Sequence, residues 1–515
     1  MDVNVGLLLA KRAALSPQLE ALVEVESGRR FSYAALDARC NRTAQALRAA
    51  GVQPGDRVAL LLLNGVEFVE SFFAIAKLGA VVVPLNWRLV ADELAFMLKD
   101  SGARTLVFGS EQRAVVTDLH GRGASGTDVR TWVHVGPAAE APLFAQSYDA
   151  VQAAASEAPP PIGARDDEPL YVMYTSGTTG LPKGVVHTHA SATWSVITVN
   201  ATSEVRYRDR YLVALPLFHV GALNPLTSNV QRGITNVVMR AFDPERTWQT
   251  IEAERLTSLL AVPAMLNFML QAKARERCRR DDLRWIMSGA APVPTTLIQA
   301  YADLGIEIHQ VYGLTECCGP ACLISPEDAL RKVGSTGKAF FHTEVRVVDD
   351  DDRDVAPGAP GEVIVRGRHV MQGYWNRPDA TRDALRGGWL RTGDLAVMDE
   401  EGFVFIQDRK KDLIITGGEN VTPAEVENVL LAHPDVLDVA VIGQPSAKWG
   451  ESPAAIVVRG DAKLDEAAVL EWCRDRIARY KQPRRVEFVD EIPRNPSGKI
   501  LKRVLRERFP GPAPE

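Results

Sequence analysis

Hydrophobic and polar positions follow a regular order near the start of the chain. An apolar run from Val58 to Leu63 is followed by a mixed stretch from Val66 to Leu78 and by a second apolar run from Ala80 to Pro84. Short apolar runs are typical of buried strands, and apolar residues spaced three or four apart are typical of a helix. The order therefore predicts a βαβ unit.

Similar patterns recur along the first 290 residues. They lie at Thr105 to Gly109, Leu170 to Tyr174, Thr188 to Val199, Tyr211 to Leu215 and Leu283 to Met287. Repeated βα alternation is typical of parallel sheets that are covered by helices. We therefore predict an α/β fold, with a large N-terminal domain built of βαβ-type subdomains.

The pattern changes twice in the second half of the chain. Residues 345–405 alternate in short strands with turn signals, which predicts a small β-rich subdomain. From Leu413 an α+β pattern begins, with predicted strands 413–416, 436–443 and 454–458 and predicted helices 423–432 and 465–480. We predict an N-terminal domain at 1–408, a connecting segment at 409–412 and an α+β C-terminal domain at 413–515.

Composition narrows the class of protein. Of 515 residues 46% are hydrophobic, and 59 Lys and Arg against 65 Asp and Glu give a net charge of -6, which argues against nucleic acid as a partner. Six cysteines lie at no zinc-ligand spacing, which predicts reduced thiols. The N-terminus lacks the basic start of a secretory signal, and no segment has the length of a membrane span, so we expect a cytoplasmic protein.

The sharpest chemical signal is a loop after the predicted strand at Leu170 to Tyr174. Its glycines let backbone amides approach phosphate oxygens, its hydroxyls add donors, and its lysine adds a cation. The spacing differs from that of a Walker loop. The predicted phosphate-binding residues are Thr175, Ser176, Gly177, Thr178, Thr179, Gly180 and Lys183.

This loop resembles the signature of the adenylate-forming superfamily, which includes acyl-CoA synthetases, peptide-synthetase adenylation domains and firefly luciferase. Further motifs of that superfamily occur in the same order over nearly the whole chain. They are LPLFHVGAL at 215–223, SGAAPVP at 288–294, YGLTE at 312–316, RTGDL at 391–395, DRKKDLIITGGENV at 408–421 and PRNPSGK at 493–499. Several motifs in one order make a chance match a poor explanation.

The resemblance implies a site that uses ATP to activate a carboxylic acid. It gives Asp394 and Arg409 the ribose, and Glu316 the Mg²⁺ that accompanies the triphosphate, with Thr315 as a phosphate donor beside it. Lys499 is implied to contact the carboxylate and the α phosphate as they react. The adenine is implied to lie against Tyr312, Gly313, Gly289, Ala290 and Ala291.

A second step would require a thiol, and the resemblance implies that a mobile C-terminal domain rotates to admit it. Lys411 occupies the position that resembles the hinge of this motion. Coenzyme A is the implied thiol. Its predicted contacts are Arg88, Gly417, Gly418, Trp449, Tyr480 and Arg484.

The acyl group is expected to run past residues whose small or apolar side chains leave a channel. These are His219, Val220, Gly221, Met265, Ser288 and Cys317. None of them is acidic or permanently charged, which favours an apolar acid. Over its full length the sequence looks most like actinobacterial long-chain and very-long-chain fatty-acyl-CoA synthetases, so we expect a fatty acid as the substrate. An aryl or arylpropenoic acid is the alternative.

Other functions share parts of these motifs. An acyl-AMP ligase would load a carrier protein instead of CoA, a decayed relative would only sense a nucleotide or lipid, and a P-loop kinase would release ADP. A homodimer and a weak peripheral contact with the inner face of the membrane are left open. For the latter, Arg206, Arg208 and Arg210 suggest an alternating basic edge, although a solvated loop is the interpretation we favour.

Overall fold

The computed structural model describes residues 3–175, 181–290, 293–409, 412–416, 419–446, 448–474, 476–494 and 500–511, with the backbone alone at 408, 409 and 420. The helices are α1 Gly6–Leu15, α2 Tyr33–Ala49, α3 Val66–Leu78, α4 Ala91–Ser101, α5 Arg113–Gly121, α6 Tyr148–Ala153, α7 His189–Thr202, α8 Val220–Arg232, α9 Pro244–Ala253, α10 Pro263–Gln271, α11 Thr295–Ala302, α12 Pro378–Ala384, α13 Pro423–Leu431, α14 Glu466–Cys473 and α15 Lys502–Arg508.

The strands are β1 Glu20–Glu24, β2 Arg30–Ser32, β3 Arg57–Leu61, β4 Val81–Pro84, β5 Thr105–Gly109, β6 Thr131–Val135, β7 Gln146–Ser147, β8 Pro169–Thr175, β9 Lys183–Thr188, β10 Arg210–Val213, β11 Thr235–Val238, β12 Ser258–Ala261, β13 Trp285–Ser288, β14 Glu307–Tyr312, β15 Cys322–Leu323, β16 Lys338–Ala339, β17 Glu344–Val348, β18 Pro360–Arg366, β19 Gly373–Tyr374, β20 Leu385–Arg386, β21 Trp389–Met398, β22 Val404–Arg409, β23 Ile414–Thr416, β24 Glu419–Val421, β25 Val436–Ser446, β26 Gly450–Arg459 and β27 Arg485–Phe488.

Two large sheets form most of the N-terminal part. One has the order β19-β9-β8-β4-β3-β5-β6-β7, and the other has the order β16-β15-β14-β13-β12-β10-β11-β1-β2. The strands from β3 to β6 and from β10 to β14 pair in parallel, as the βαβ pattern predicts. The α/β prediction is therefore confirmed. The stretch from Thr188 to Val199 forms the N-cap and most of helix α7.

Helix α3 joins the two sheets into one core. Every residue of α3 except Glu67 is buried, including Phe68, Phe72 and Phe73. A helix that is buried on nearly all sides must pack between other layers rather than on a surface. The core that contains α3 draws residues from both sheets, such as Val58 of β3 and Leu212 of β10.

A third sheet and the C-terminal unit follow in the order expected. Strands β17, β18, β20, β21 and β22 form an antiparallel sheet, which matches the predicted β-rich subdomain. Strands β23 to β27 form the sheet of the α+β C-terminal unit. The helix predicted over 465–480 is too long. Helix α14 ends at Cys473 because Arg474 is extended, and the Gln482 amide then donates to the Ile477 carbonyl.

Residues 206–209 form a turn before β10 in which Arg206 and Arg208 are exposed, in agreement with the favoured interpretation of a solvated segment. The Asp209 carboxylate accepts from the Arg206 amide, which closes a turn, and it also pairs with Arg284 at 2.6 Å. Arg210 begins β10 and pairs with Glu20 and Glu254. A strand-like row of outward arginines is therefore not formed. Within the described residues, no helix has both the length and the apolar character needed to cross a membrane.

Candidate active site

One large cavity, of about 1120 Å³, lies where the ends of the parallel strands meet the C-terminal unit. The carboxyl ends of β8, β13 and β14 line it from the N-terminal side, and residues of β21 and β22 line it from the β-rich subdomain. From the C-terminal unit come Thr422, Glu427, Ile500 and Lys502. Ligands of α/β proteins bind in this position, outside the carboxyl ends of the strands.

The predicted phosphate loop leaves the sheet through a β-hairpin. Strands β8 and β9 are antiparallel, and Thr175 lies opposite Lys183 in their register. Both residues line the cavity. The Lys183 ammonium lies 5.0 Å from the centre of the Tyr374 ring. The remaining loop residues of the prediction, from Ser176 to Gly180, lie outside the described residues.

Two residues that are predicted to bind the nucleotide lie in different sheets and are in direct contact. The Tyr312 hydroxyl, at the end of β14, donates to the Asp394 carboxylate on β21 at 2.7 Å. Asp394 is only 8% exposed, and its amide donates to the Thr392 hydroxyl. Burial and the neighbouring Asp394 carboxylate raise the pKa of Tyr312 well above its usual value, so this hydroxyl stays protonated and can donate.

The backbone beside Tyr312 is packed too closely for side chains. A Cβ at Gly313 would lie 1.5 Å from the carbonyl oxygen of Gly319, and a Cβ at Gly289 would lie 2.3 Å from that of Val311. Ala290 has a positive φ of 68°. Gly289, Ala290 and Gly313 all line the cavity, so a flat ligand meets backbone there. Ala291, predicted with them, lies outside the described residues.

Arg409 continues the same wall. Its backbone pairs with Asp394 in the register of β21 and β22. The predicted ribose pair is therefore adjacent across two strands, although the structure describes only the backbone of Arg409.

Glu316 and Thr315 lie in the turn after β14. The Tyr374 hydroxyl donates to the Glu316 carboxylate at 2.9 Å, and the amide of Met371 donates to the Glu316 carbonyl at 2.8 Å. The Nε2 atom of His187 is 2.7 Å from the Thr315 carbonyl oxygen. Burial lowers the pKa of His187 to about 4, so this nitrogen donates as a neutral imidazole. The turn is therefore held from three sides.

The cavity extends into the N-terminal part as an inner branch. We define the inner branch by residues of α7, the segment after α7, α8 and the second large sheet: Asn200, Val205, Tyr211, Ser228, Leu260 and Trp285. His219, Val220, Gly221 and Ser288 line the cavity at its entrance. Burial, with the charge of Arg88 as a second cause, lowers the pKa of His219 to about 4, so its ring is neutral near pH 7.

Two residues predicted for the acyl channel lie behind its wall. Met265 is 7% exposed in α10 and belongs to the main core. The Cys317 thiol is fully buried and donates to the carbonyls of Leu314 and Gly319. Neither residue is among the lining of the cavity, because both are turned into packed surroundings. The prediction that they contact the acyl chain needs this correction.

The described residues predicted to bind CoA lie away from the cavity lining. Trp449 and Tyr480 are 39% and 37% exposed on the C-terminal unit, and the Arg484 amide donates to the Pro453 carbonyl there. Arg88, on the N-terminal part, stacks on Trp87 at 4.1 Å. Gly417 and Gly418 lie outside the described residues. Among the described residues, Arg88, Trp449, Tyr480 and Arg484 do not line the cavity, and their contact with CoA stays a prediction.

Of the two other predicted functional lysines, Lys411 lies in the connection to the C-terminal unit and Lys499 precedes helix α15 in sequence. Lys411 and Lys499 both lie outside the described residues. Their neighbours Asp412 and Ile500 line the cavity. The Asp412 carboxylate accepts from Arg506 of α15 at 2.9 Å, which ties the start of the C-terminal unit to its last helix.

Sequence reasoning missed several residues of the site. Tyr374 lies between the YGLTE and RTGDL motifs and belongs to neither, yet it contacts both Lys183 and Glu316. The inner branch was also missed beyond the 215–223 motif. Its residues come from strands and helices that carry no recognisable motif, and only the pairing of the strands brings them together.

Comparisons with known proteins agree with this arrangement. The sequence profile of the AMP-binding enzyme family matches residues 9–375, and that of the AMP-binding enzyme C-terminal domain matches residues 425–499. The chain is 45% identical to the long-chain-fatty-acid--CoA ligase FadD13 of Mycobacterium tuberculosis, covering 99% of this chain and 100% of the relative. It is 40% identical to a feruloyl-CoA synthase of Amycolatopsis, covering 97% and 98%.

Solved structures of related enzymes share the fold of this chain. A fatty acyl CoA synthetase of Mycobacterium tuberculosis superposes with a TM-score of 0.80 at 44% identity, covering 98% of both chains. The anthranilate CoA ligase AuaEII, in complex with anthranoyl-AMP, superposes with a TM-score of 0.92 at 27% identity, covering 99% of this chain and 97% of that one. The profile match, the full-length identity and the shared fold together place this chain in the AMP-binding enzyme family of adenylate-forming acyl-CoA synthetases.

Proposed function

We propose that this enzyme is an ATP-dependent fatty-acid:CoA ligase. In the first step a fatty-acid carboxylate attacks the α phosphorus of ATP, which forms an acyl-adenylate and releases pyrophosphate. In the second step the thiol of CoA attacks the acyl carbon, which forms the thioester and releases AMP. The observation that carries the proposal is a single cavity that joins Asp394, Glu316 and Lys183 to the inner branch.

Each group at the cavity suits one part of this chemistry. Asp394 accepts hydrogen bonds and so suits the ribose hydroxyls, while Tyr312 fixes its carboxylate at 2.7 Å. Thr175 and Lys183 provide a hydroxyl and a cation for phosphate oxygens. Lys499 is proposed to offset the repulsion between the carboxylate and the α phosphate, because a flexible ammonium can contact both.

Glu316 is proposed to hold Mg²⁺ together with the phosphates of ATP. Mg²⁺ in nucleotide sites is held by one or two carboxylates and by phosphate oxygens, and Glu316 fits that requirement at the cavity wall. When bound, the ion neutralises charge on the triphosphate. The hydrogen bond from Tyr374 fixes one carboxylate oxygen of Glu316, which orients the other.

The inner branch favours a fatty acid over an acid whose tail carries a second charge. Val205, Leu260 and Trp285 give it apolar surface, and Lys, Arg, Asp and Glu do not occur among its defining residues. The named activity of the relative FadD13 supports the same choice. An aromatic acid is the second candidate, since Tyr211 and Trp285 offer flat faces and relatives are named for ferulate and indoleacetate.

The test is pyrophosphate release with ATP and Mg²⁺ over a panel of saturated fatty acids and aryl acids, each with and without CoA. Turnover that requires CoA and is fastest with a fatty acid is expected. Fastest turnover with aryl acids would move the substrate to the second candidate. Pyrophosphate release at the same rate with and without CoA would instead indicate an acyl-AMP ligase that loads a carrier protein.

The CoA contacts and the hinge remain proposals of the same mechanism. We propose that the C-terminal unit rotates about Lys411 after pyrophosphate leaves, bringing Gly417, Gly418 and Trp449 to the thiol. The exposure of Trp449 and Tyr480 supports this, since both are available for a new contact.

A homodimer is a further proposal, checked by the mass in solution. Weak peripheral membrane contact is another, checked by co-sedimentation with anionic vesicles.

A further inference from the structure

The inner branch ends on a row of hydrogen-bonding side chains rather than on hydrocarbon. Strands β10, β12 and β13 pair in parallel, with Tyr211 opposite Ser258 and Ser258 opposite Trp285. Residues in one row of a parallel sheet point to the same face, and adjacent strands are about 4.8 Å apart. Tyr211 and Trp285 therefore flank Ser258 on the face that the cavity meets.

Several polar atoms at this end lack a partner among the residues that the structure describes. The Trp285 indole nitrogen and the Ser258 hydroxyl are buried without a hydrogen bond. Trp285 is 1% exposed and Tyr211 is 5% exposed. A buried indole N–H or phenol O–H usually finds an acceptor, because leaving such a group unpaired costs about 1–3 kcal/mol.

The opposite wall supplies an acceptor. Asn200 of α7 donates through its amide nitrogen to the Ser228 carbonyl at 3.1 Å and to the Gln231 side chain at 2.7 Å. These two bonds fix the orientation of the amide. Its oxygen is buried and has no donor within the described part of the chain. A fixed acceptor therefore lines the same branch as the Trp285 donor.

The combination selects one chemical group. An indole N–H can only donate, and an amide oxygen can only accept. Among the oxygen groups that an acyl chain can carry, a hydroxyl does both, whereas a carbonyl oxygen would satisfy Trp285 and leave Asn200 unpaired. We propose that the inner branch binds a hydroxyl carried by the acyl chain, so that the preferred substrate of this ligase is a hydroxylated fatty acid. This inference rests on the proposed function and narrows its substrate class.

The position of the hydroxyl follows from strand β13. Met287, near the carboxyl end of β13, lines the cavity on the same face as Trp285, which is two residues earlier. At about 3.3 Å per residue the two are roughly 7 Å apart along the strand. The hydroxyl should therefore lie far from the carboxyl group, near the distal end of a medium-length chain. A hydroxyl next to the carboxyl group could not reach Trp285.

The experiment compares matched acids with the whole enzyme. For each chain length from medium to long, kcat/KM of CoA-dependent pyrophosphate release is measured for the plain acid, its 2-hydroxy acid, its ω-hydroxy acid and its ω-oxo acid. At the best chain length, the ω-hydroxy acid should exceed the plain and 2-hydroxy acids by at least about tenfold. The ω-oxo acid should lie between the plain and ω-hydroxy acids.

Two variants locate the effect. Trp285→Phe removes the indole N–H together with part of the ring, and Tyr211→Phe removes only a hydroxyl. Each should reduce the ratio of kcat/KM for the ω-hydroxy acid to kcat/KM for the plain acid by about tenfold. Tyr33→Phe is the matched control, because its buried hydroxyl donates to the Ile234 carbonyl at 2.7 Å and does not line the cavity. Thermal midpoints check that all three variants fold.

The outcomes separate this inference from the function on which it rests. Turnover of plain acids with no gain from a distal hydroxyl would overturn the inference and leave the ligase activity standing. A hydroxyl preference that survives in both variants would also overturn it, because the groups named here would not be the cause. No CoA-dependent turnover with any acid would overturn the proposed function and the inference together.

Discussion

The hydroxyl of Tyr312 donates to the carboxylate of Asp394 at 2.7 Å, across a sequence separation of 82 residues. Tyr312 ends a strand of the second large sheet, whereas Asp394 lies in the β-rich subdomain. The bond therefore joins two sheets at the wall of the cavity. It helps to orient the Asp394 carboxylate, so it bears directly on nucleotide binding.

Removal of this bond should weaken nucleotide binding. In Tyr312→Phe, Asp394 keeps its place in the strand but loses the donor that orients its carboxylate. A hydrogen bond to a charged group contributes about 1.5–3 kcal/mol, so we expect KM for ATP to rise roughly tenfold or more, with a smaller change in kcat. Steady-state pyrophosphate release at varied ATP measures both constants.

Tyr301→Phe is the control for that variant. Its hydroxyl is also buried and donates to a carbonyl, that of Leu266 at 2.8 Å, but Tyr301 does not line the cavity. An equal rise in KM for ATP in both variants would show that the rise comes from a general loosening of the fold. An unchanged KM for ATP in Tyr312→Phe would contradict the role given to the bond.

Glu316→Gln should change the dependence on magnesium. The amide is a neutral and weaker ligand for a hard cation, so the Mg²⁺ concentration for half-maximal pyrophosphate release should rise at least about tenfold. Tyr374→Phe removes only the donor to Glu316 and should produce a smaller rise in the same direction. A Mg²⁺ titration at fixed ATP measures this, and the same midpoint in all three proteins would refute the assignment.

Lys499→Ala should separate the two steps of the reaction. We expect pyrophosphate release to fall by about a hundredfold or more, since the variant lacks a cation that acts on the transition state. Conversion of supplied acyl-adenylate and CoA into the thioester should fall much less. Lys463→Ala, an exposed position of the C-terminal unit, controls for handling of the protein. Equal losses in both steps would contradict the role of Lys499.

Gly313→Ala should destabilise the site through its backbone. The new Cβ would lie 1.5 Å from the Gly319 carbonyl oxygen, so the chain must shift. Overpacking of this kind costs about 1–3 kcal/mol or more, which should lower the thermal midpoint by several degrees and weaken ATP binding. Gly121→Ala in α5 meets no atom within 4 Å and should change neither quantity. A Gly313→Ala protein with an unchanged midpoint would contradict the packing argument.

Acid should destabilise the fold through buried histidines. Burial lowers the pKa of His187, His189, His219 and His369 to about 4, below the ordinary value of 6.5. The unfolded chain therefore binds more protons between these values, and stability is lost as the pH falls from about 6.5 towards 4. Thermal midpoints across this range should fall with pH. A midpoint that is flat or rises on acidification would be contrary to this prediction.

Much of the fold and part of the site follow from local sequence. The apolar runs at β3 to β5 predict parallel strands, because buried strands must be continuously apolar. Motif residues such as Glu316 and Asp394 are recognised because each lies in a short string of fixed spacing. Helix α14 was predicted too long, since the periodic pattern continues past Cys473 while the backbone turns at Arg474.

The remainder depends on contacts between distant segments. The row of Tyr211, Ser258 and Trp285 exists only through the register of three strands, which no local pattern specifies. Tyr374 contacts Glu316 from 58 residues away for the same reason. Cys317 has the small side chain expected of a residue that lines an acyl channel. Its thiol instead donates to the Leu314 carbonyl and turns into the core. Burial of that kind is decided by packing, not by residue type.

The central claim is tested most directly by identifying the nucleotide products in order. The enzyme is mixed with ATP, Mg²⁺ and a fatty acid without CoA, and CoA is added after pyrophosphate release has slowed. We predict that pyrophosphate and enzyme-bound acyl-adenylate appear first, in an amount close to that of the enzyme, and that AMP and acyl-CoA appear only after CoA is added. Release of ADP and phosphate, or AMP without any acyl-adenylate, would contradict the account.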